Sequence, residues 1–127
     1  MDNALTTITY KPNLDAIVTI WKRSITKEEY LEIYKHVTEL IKDFQLTNWI
    51  VDITHSDNTE ENLNEVRKKF ETQVSSLGLR RMAVVKPITD HASYEAFEKR
   101  KKAMHTIHNV EFVHFNTLSE ALQWIEE

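Results

Sequence analysis

Short hydrophobic runs alternate with longer amphipathic segments along this chain. The run Asn48–Asp52 is largely apolar and ends on an acid, and a second apolar run covers residues 82–85. Continuous apolar runs of this length, bounded by polar residues, are typical of strands that are buried on both faces of a parallel sheet. The sequence therefore predicts an α/β domain, and ligands of such domains commonly bind at the carboxyl ends of the strands.

Length and composition set the scale of this domain. The chain has 127 residues, of which 41% are hydrophobic, so we assign residues 1–127 to a single domain with its own core. It has no cysteine, which excludes disulfides and sulfur-ligated metals. Its beginning does not resemble a signal peptide, and no run approaches the ~20 apolar residues that span a bilayer. We expect a cytoplasmic protein without a membrane span.

The charges are distributed unevenly. Residues 1–65 contain 6 Lys/Arg and 12 Asp/Glu, whereas residues 66–127 contain 10 and 8. A nucleic-acid-binding domain would present a basic face, so this balance predicts no nucleic-acid partner. The dense basic run at residues 99–102 points around most of a helix, and we interpret it as a solvated face.

Helix start and stop signals separate the strands. Thr26 opens a stripe of apolar residues at helical spacing that ends at Phe44. Three pairs have the spacing of a capping box, in which a side chain caps the helix start and an acid three residues later bonds back. Gly78, the only glycine, is predicted to end the second helix in a left-handed conformation. The three pairs are Thr26 with Glu29, Asn58 with Glu61, and Thr117 with Glu120.

The predicted element order is ββαβαβαβα. Two short β-branched segments, residues 5–10 and 14–21, form an N-terminal hairpin. Each later strand–helix–strand unit should cross over right-handedly and give parallel neighbours. We therefore expect a mostly parallel five-stranded sheet with an antiparallel N-terminal strand and about four helices.

Several strand ends and the terminal helix carry a family resemblance. Residues 21–22, 48–52, 79–87 and 115–125 resemble the corresponding parts of small bacterial STAS/SEC14-like, SpoIIAA-like proteins. The resemblance spans nearly the whole chain and implies a SpoIIAA/STAS-like fold. It also implies a regulatory binding domain, since some members are switched by phosphorylation just after the third strand and others are associated with small or lipid-like ligands.

The family's switch would map to residues 52–58, where Ser56 and Thr54 are candidate phospho-acceptors. A phosphate on Ser56 would lie near the positive end of the next helix, although Asp57 would repel it. The family pattern has Ser or Thr directly after the acid and then a Gly; here Ile53 follows, and the loop has no Gly. Ser, Thr, Asp and Asn are also the usual residues of loops and helix caps.

A binding site would lie in the crevice at the carboxyl ends of the strands. Lys22 and Lys86 could hold an anionic ligand there, or they could balance Asp52 and Asp57 at a solvated rim. The candidate crevice residues are Trp21, Lys22, Asp52, His55, Lys86 and Asn116.

Catalytic and metal signatures are weak. Asp52, His55 and Ser56 have the residue types of a catalytic triad, but adjacent loop residues seldom align in that way and no Gly-x-Ser-x-Gly elbow is present. His105 and His108 share a helix face without a third ligand in register. We assign no catalytic residue, metal or cofactor.

These patterns leave three functional hypotheses. The first is a noncatalytic regulatory or protein-interaction domain that binds a protein partner or itself, with Trp124 as a contact of a possible homodimer. The alternative is a domain that binds a small molecule or lipid-like ligand, apolar or anionic, between the third helix and the sheet. A small enzyme that uses Asp52 and His55 is the third, and the sequence favours it least.

Overall fold

The computed structural model describes Asp2 and residues 4–56 and 60–127, the side chains of residues 60–64 excepted. Five strands form one sheet, and four α-helices follow β2, β3, β4 and β5 within this part of the chain. The elements are β1 (Thr6–Lys11), β2 (Ala16–Trp21), α1 (Lys27–Phe44), β3 (Asn48–Asp52), α2 (Glu60–Ser76), β4 (Arg81–Val85), α3 (His91–His108), β5 (Glu111–Phe115) and α4 (Leu118–Glu126).

The strands lie in the sheet in the same order as in the chain. β1 pairs with β2 in antiparallel register, and β2, β3, β4 and β5 are parallel neighbours. Val18, Ile50, Ala83 and Val113 lie side by side across the parallel part. The predicted fold class, element order and antiparallel first strand are confirmed.

The helix ends follow the local signals in most cases. Thr26 and Glu29 form both hydrogen bonds of a capping box. Thr117 accepts the backbone N–H of Glu120, but the Glu120 carboxylate accepts the Thr117 hydroxyl rather than a backbone N–H, so only half of that predicted box forms. Gly78 has φ +106° and ends α2 in the left-handed region, as predicted. The predicted box of Asn58 and Glu61 lies outside the described residues.

The turn between β1 and β2 is more elaborate than a simple hairpin. Pro12–Leu14 form a 3₁₀ turn, and Asp15 takes a left-handed conformation with φ 47°. The Asp15 carbonyl accepts the N–H groups of Thr47 and Asn48, both at 3.1 Å. This turn therefore anchors the start of β3 as well as joining the first two strands.

The sheet has a different cover on each face. Because alternate residues of a strand point to opposite faces, Trp49 and Met82 pack under α1, α2 and α3, whereas Ile50 and Ala83 pack under α4. Right-handed crossovers that always step in the same direction place their helices on one face. In the described fold the strand order runs from β1 to β5 without reversing. A strand-end crevice usually forms where the order reverses, so its usual position is absent here.

Candidate functional site

A cavity of about 280 Å³ lies between the sheet and the three helices α1, α2 and α3. Its floor comes from the strands, through residues such as Val51 and Val84, and its walls come from the helices. Its full lining consists of Trp21, Ile25, Tyr30, Tyr34, Val51, Ile53, Ser56, Arg67, Met82, Val84, Lys86, Ser93, Ala96, Phe97 and Arg100.

An aromatic cluster forms one wall of the cavity. The rings of Trp21 and Tyr30 are stacked with centroids 6.0 Å apart, and Tyr34 meets Tyr30 edge-on at 4.2 Å. Burial raises the pKa of Tyr34 to about 12, against the positive charge of Arg100 and hydrogen bonds from Tyr30 and Trp21, which lower it. Burial also raises the pKa of Tyr30 far above its usual range. Both phenols are therefore neutral at physiological pH.

Three charged side chains, Arg67, Glu71 and Arg100, bridge α2 and α3 beside the cavity, and we call them the Arg–Glu–Arg cluster. The Oε1 atom of Glu71 lies 2.9 Å from both Nε and Nη2 of Arg100 and 3.4 Å from Nε of Arg67. The exposed fractions of these side chains are only 16%, 10% and 12%, in chain order. Two guanidinium groups thus share one carboxylate oxygen in a largely buried position.

Lys86 and Ser56 lie at the other end of the cavity, where the chain leaves β3 and β4. The Lys86 ammonium donates to the Ser56 carbonyl at 3.1 Å. The ring of His114 stacks on Phe97 at 4.6 Å and forms a hydrogen bond with the Lys86 carbonyl. These contacts hold the mouth of the cavity at the carboxyl edge of the sheet.

Solved structures with the same arrangement exist. A candidate anti-sigma factor antagonist from Thermotoga maritima aligns with a TM-score of 0.67 at 13% identity over 96% of this chain and 95% of its own. An uncharacterized protein of the DUF3478 family from Shewanella loihica, with a SpoIIAA-like fold, aligns with a TM-score of 0.63 at 18% identity over 98% of both chains. This chain has a SpoIIAA-like fold. The predicted STAS/SpoIIAA-like architecture is thereby confirmed.

Neither a family model nor a curated protein matches the sequence of this SpoIIAA-like domain. Within its described residues, no helix is long and apolar enough to cross a membrane. The same part of the chain contains no group of three His, Asp or Glu side chains placed to hold a metal ion.

The six predicted crevice residues of the SpoIIAA-like domain do not gather in one place. Trp21 and Lys86 line the cavity, whereas the other four do not. Lys22 is exposed and pairs with Asp2. Two of the remaining residues make local hydrogen bonds. The Asp52 carboxylate accepts hydrogen bonds from Thr54, and the Asn116 side chain accepts the backbone N–H of Ile88 at 3.2 Å. His55 is exposed.

The two candidate phospho-acceptors differ in their surroundings. The Thr54 hydroxyl is half-buried and donates to Oδ1 of Asp52 at 2.6 Å. Ser56 is 7% exposed and lines the mouth of the cavity. No described hydrogen bond joins Asp52 to His55, as a triad would need. Asp57, predicted to repel a phosphate here, lies outside the described residues.

The sequence interpretation missed the Arg–Glu–Arg cluster. Lys99, Lys101 and Lys102 are exposed, as a solvated face requires, but Arg100 turns inward. The signal was available, because Arg100 lies three residues after Phe97 and four before Met104, on the buried stripe of α3.

Proposed function

We propose that this SpoIIAA-like domain is a noncatalytic binding domain that holds a small organic ligand in the cavity beneath α1, α2 and α3. The observation that carries the proposal is the cavity itself. A partly enclosed and largely apolar space of about 280 Å³ is close in size to the pockets that hold small molecules in other proteins.

The chemistry of the lining supports the same proposal. Ligand sites are mostly apolar and aromatic, with a few polar groups that orient the ligand. Here Trp21, Tyr30 and Phe97 supply aromatic surface, while Lys86 and Arg100 supply polar groups at separate points. The mouth adjoins the turn of Thr54 and Ser56, so a bound ligand would influence the surface at that turn. A regulatory surface at that turn would therefore lie beside the proposed binding site.

Trp21 provides a direct test by NMR. Titration with small aromatic and medium-chain acids, alcohols and amines should shift the indole N–H signal of Trp21 in a saturable way. The signal of Trp124 should stay in place, because that side chain packs on Phe115 under the other face of the sheet. Equal shifts of both signals, or none from any compound, would reject a ligand site in this cavity.

A matched pair of variants on α3 sharpens the test. Ala96 and Ala103 are both exposed, but only Ala96 lines the cavity. Ala96→Phe should abolish the saturable shift, because its ring enters the binding space, whereas Ala103→Phe should leave the shift unchanged. Equal behaviour of the two variants would contradict the proposal.

Partner binding is the second candidate, and the likeness to a candidate anti-sigma factor antagonist favours it. The partner surface would be the turn at Thr54 and Ser56, and phosphorylation of either residue would regulate partner binding. Self-association through Trp124 stays a prediction. Intact-mass analysis of protein purified gently from its own host separates the candidates. Added phosphate or a co-purified protein would support partner binding, while an unmodified monomer that retains a small molecule would support the cavity alone.

A further inference from the structure

The cavity has cationic groups at both ends, Arg67 and Arg100 at one and Lys86 at the other. Arg100 stacks over the ring of Phe112, which pairs with Met82 in the parallel register, so this guanidinium lies at the inner end. Lys86 comes four residues after Met82, about 13 Å further along the strand direction at the usual rise. The two ends are therefore distinct anchoring positions for the acid group of a ligand.

The inner end is the better preorganised of the two ends for binding an anion. Glu71 holds Nε and Nη2 of Arg100, and the Phe112 ring supports the guanidinium plane at 4.8 Å, so its orientation is fixed before any ligand binds. Among the described residues, no hydrogen bond involves Nη1 of Arg100. A charge-assisted hydrogen bond made in such a sheltered position is stronger than one made in water.

Lys86, at the outer end, is a weaker anchor for the acid group of a ligand than Arg100. Its ammonium donates a hydrogen bond to the Ser56 carbonyl, and the residue is only half-buried, at the carboxyl edge of the sheet. Ionic contacts in that position are weakened by water and salt. An acid group gains more from the planar guanidinium of Arg100 than from this flexible amine.

From these contacts we infer that the ligand is a small apolar carboxylic acid, whose carboxylate binds Arg100 at the inner end and whose apolar part lies along Trp21, Val51 and Val84 toward the mouth. The inference rests on the proposed function and adds the class and the direction of the ligand. It assigns the acid group to a guanidinium inside the domain rather than to Lys22 and Lys86, which the sequence offered as one of two interpretations of the strand ends.

The size of the cavity limits the apolar part. A volume of about 280 Å³ lies just below the range of ~300–1,000 Å³ that is usual for ligand sites. A medium-chain fatty acid or a single-ring aromatic acid has this size, whereas a long-chain lipid exceeds it.

Calorimetric titration of the full chain with octanoate, octanol and palmitate tests both parts of the inference. Octanoate should bind at least about tenfold more tightly than octanol, because only the acid bonds to Arg100. Palmitate should bind more weakly than octanoate, since its chain is too long for the cavity. Equal affinities of octanoate and octanol would overturn the inferred class, and tighter binding of palmitate would overturn the size limit.

Two variants of the cluster should act in opposite directions. Arg100→Gln should weaken octanoate binding at least about tenfold and leave octanol binding unchanged. Glu71→Gln should strengthen octanoate binding, because it removes the only described acid that contacts Arg100. If the two substitutions only damaged the structure, both variants would bind both octanoate and octanol more weakly. That result would overturn the role of Arg100. Glu71→Gln also keeps the test valid if Arg100→Gln does not fold.

Lys86→Gln tests the other end of the cavity. It should weaken octanoate binding less than Arg100→Gln does, because the contact of Lys86 is the more exposed to solvent. A loss with Lys86→Gln and none with Arg100→Gln would reverse the inferred direction of the ligand. Failure of the proposed function has a different signature, because then neither octanoate nor octanol would shift the Trp21 indole signal, whereas a wrong ligand class would leave octanol bound.

Discussion

At the scale of single residues, Arg81 joins β4 to the end of α4. Its guanidinium donates to the Asn48 side chain at 2.9 Å and to the carbonyls of Trp124 and Ile125 at 3.3 and 3.0 Å. These carbonyls belong to the last turn of α4, where a positive charge is also favourable. Arg81→Gln should lower the free energy of unfolding by about 2 kcal/mol, as measured by urea denaturation.

Arg80→Gln is the control for this change, since the neighbouring Arg80 is exposed. Its effect should stay within about 0.5 kcal/mol. Similar losses for the two variants would mean that the bonds of Arg81 to α4 contribute little to stability.

Tyr34 makes stability depend on pH in the alkaline range. Its pKa is about 12 in the folded chain, against an ordinary value of 10.0. Below pH 10 both states keep the phenol proton, and the stabilisation is fully present. Between pH 10 and 12 the unfolded chain loses this proton first, so the free energy of unfolding falls by up to about 1.4 kcal/mol per pH unit.

Tyr34→Phe should make that alkaline fall less steep in urea denaturation at about pH 9 and about pH 11. Tyr94→Phe should leave it unchanged, because Tyr94 is 52% exposed. An unaltered slope in Tyr34→Phe would show that the phenol titrates alike in both states.

At the scale of the helices and strands, α1 ends at a residue with an unfavourable backbone. Gln45 caps the helix with φ 52° and ψ 49°, and its N–H bonds to the carbonyls of Ile41 and Lys42. A residue with a Cβ pays about 1–2 kcal/mol in this left-handed conformation, whereas glycine does not. Gln45→Gly should therefore raise the free energy of unfolding by up to about 1 kcal/mol, because glycine's greater freedom in the unfolded chain offsets part of the gain.

Asn109→Gly offers a comparison at the end of α3. Asn109 has φ 54° and ψ 39°, but asparagine tolerates this region better than glutamine does. Urea denaturation should give a smaller gain for Asn109→Gly than for Gln45→Gly. The reverse order would indicate that packing around the caps outweighs the backbone conformation.

Local patterns predicted the elements well and the site poorly, for physical reasons. The capping box at Thr26 and the glycine end of α2 depend on residues a few positions apart, so one sequence is sufficient to find them. The cluster of Glu71 and Arg100 joins two helices, and its partners are 29 positions apart. Only the packed fold brings such side chains together, and the volume of a cavity depends on every side chain around it.

At the scale of the whole molecule, the two faces of the sheet depend on different numbers of helices. Of the described helices, only α4 packs on the face formed by Ala16, Ile50 and Ala83, each with 0% of its surface exposed. Truncation after Asn116 should expose this face and abolish cooperative unfolding, with loss of the near-ultraviolet circular dichroism signal. Removal of Glu127 alone is the control and should leave unfolding cooperative.

The sequential strand order also has a consequence for synthesis on the ribosome. Each new strand joins the edge that the preceding strand has just formed, so the sheet can grow in the direction in which the chain emerges. The inner wall of the cavity is complete only when α3 has left the exit tunnel, because Arg100 belongs to that helix. A ligand of the proposed kind could therefore bind a nascent chain only late, after more than four-fifths of the 127 residues have been made, since α3 ends at His108.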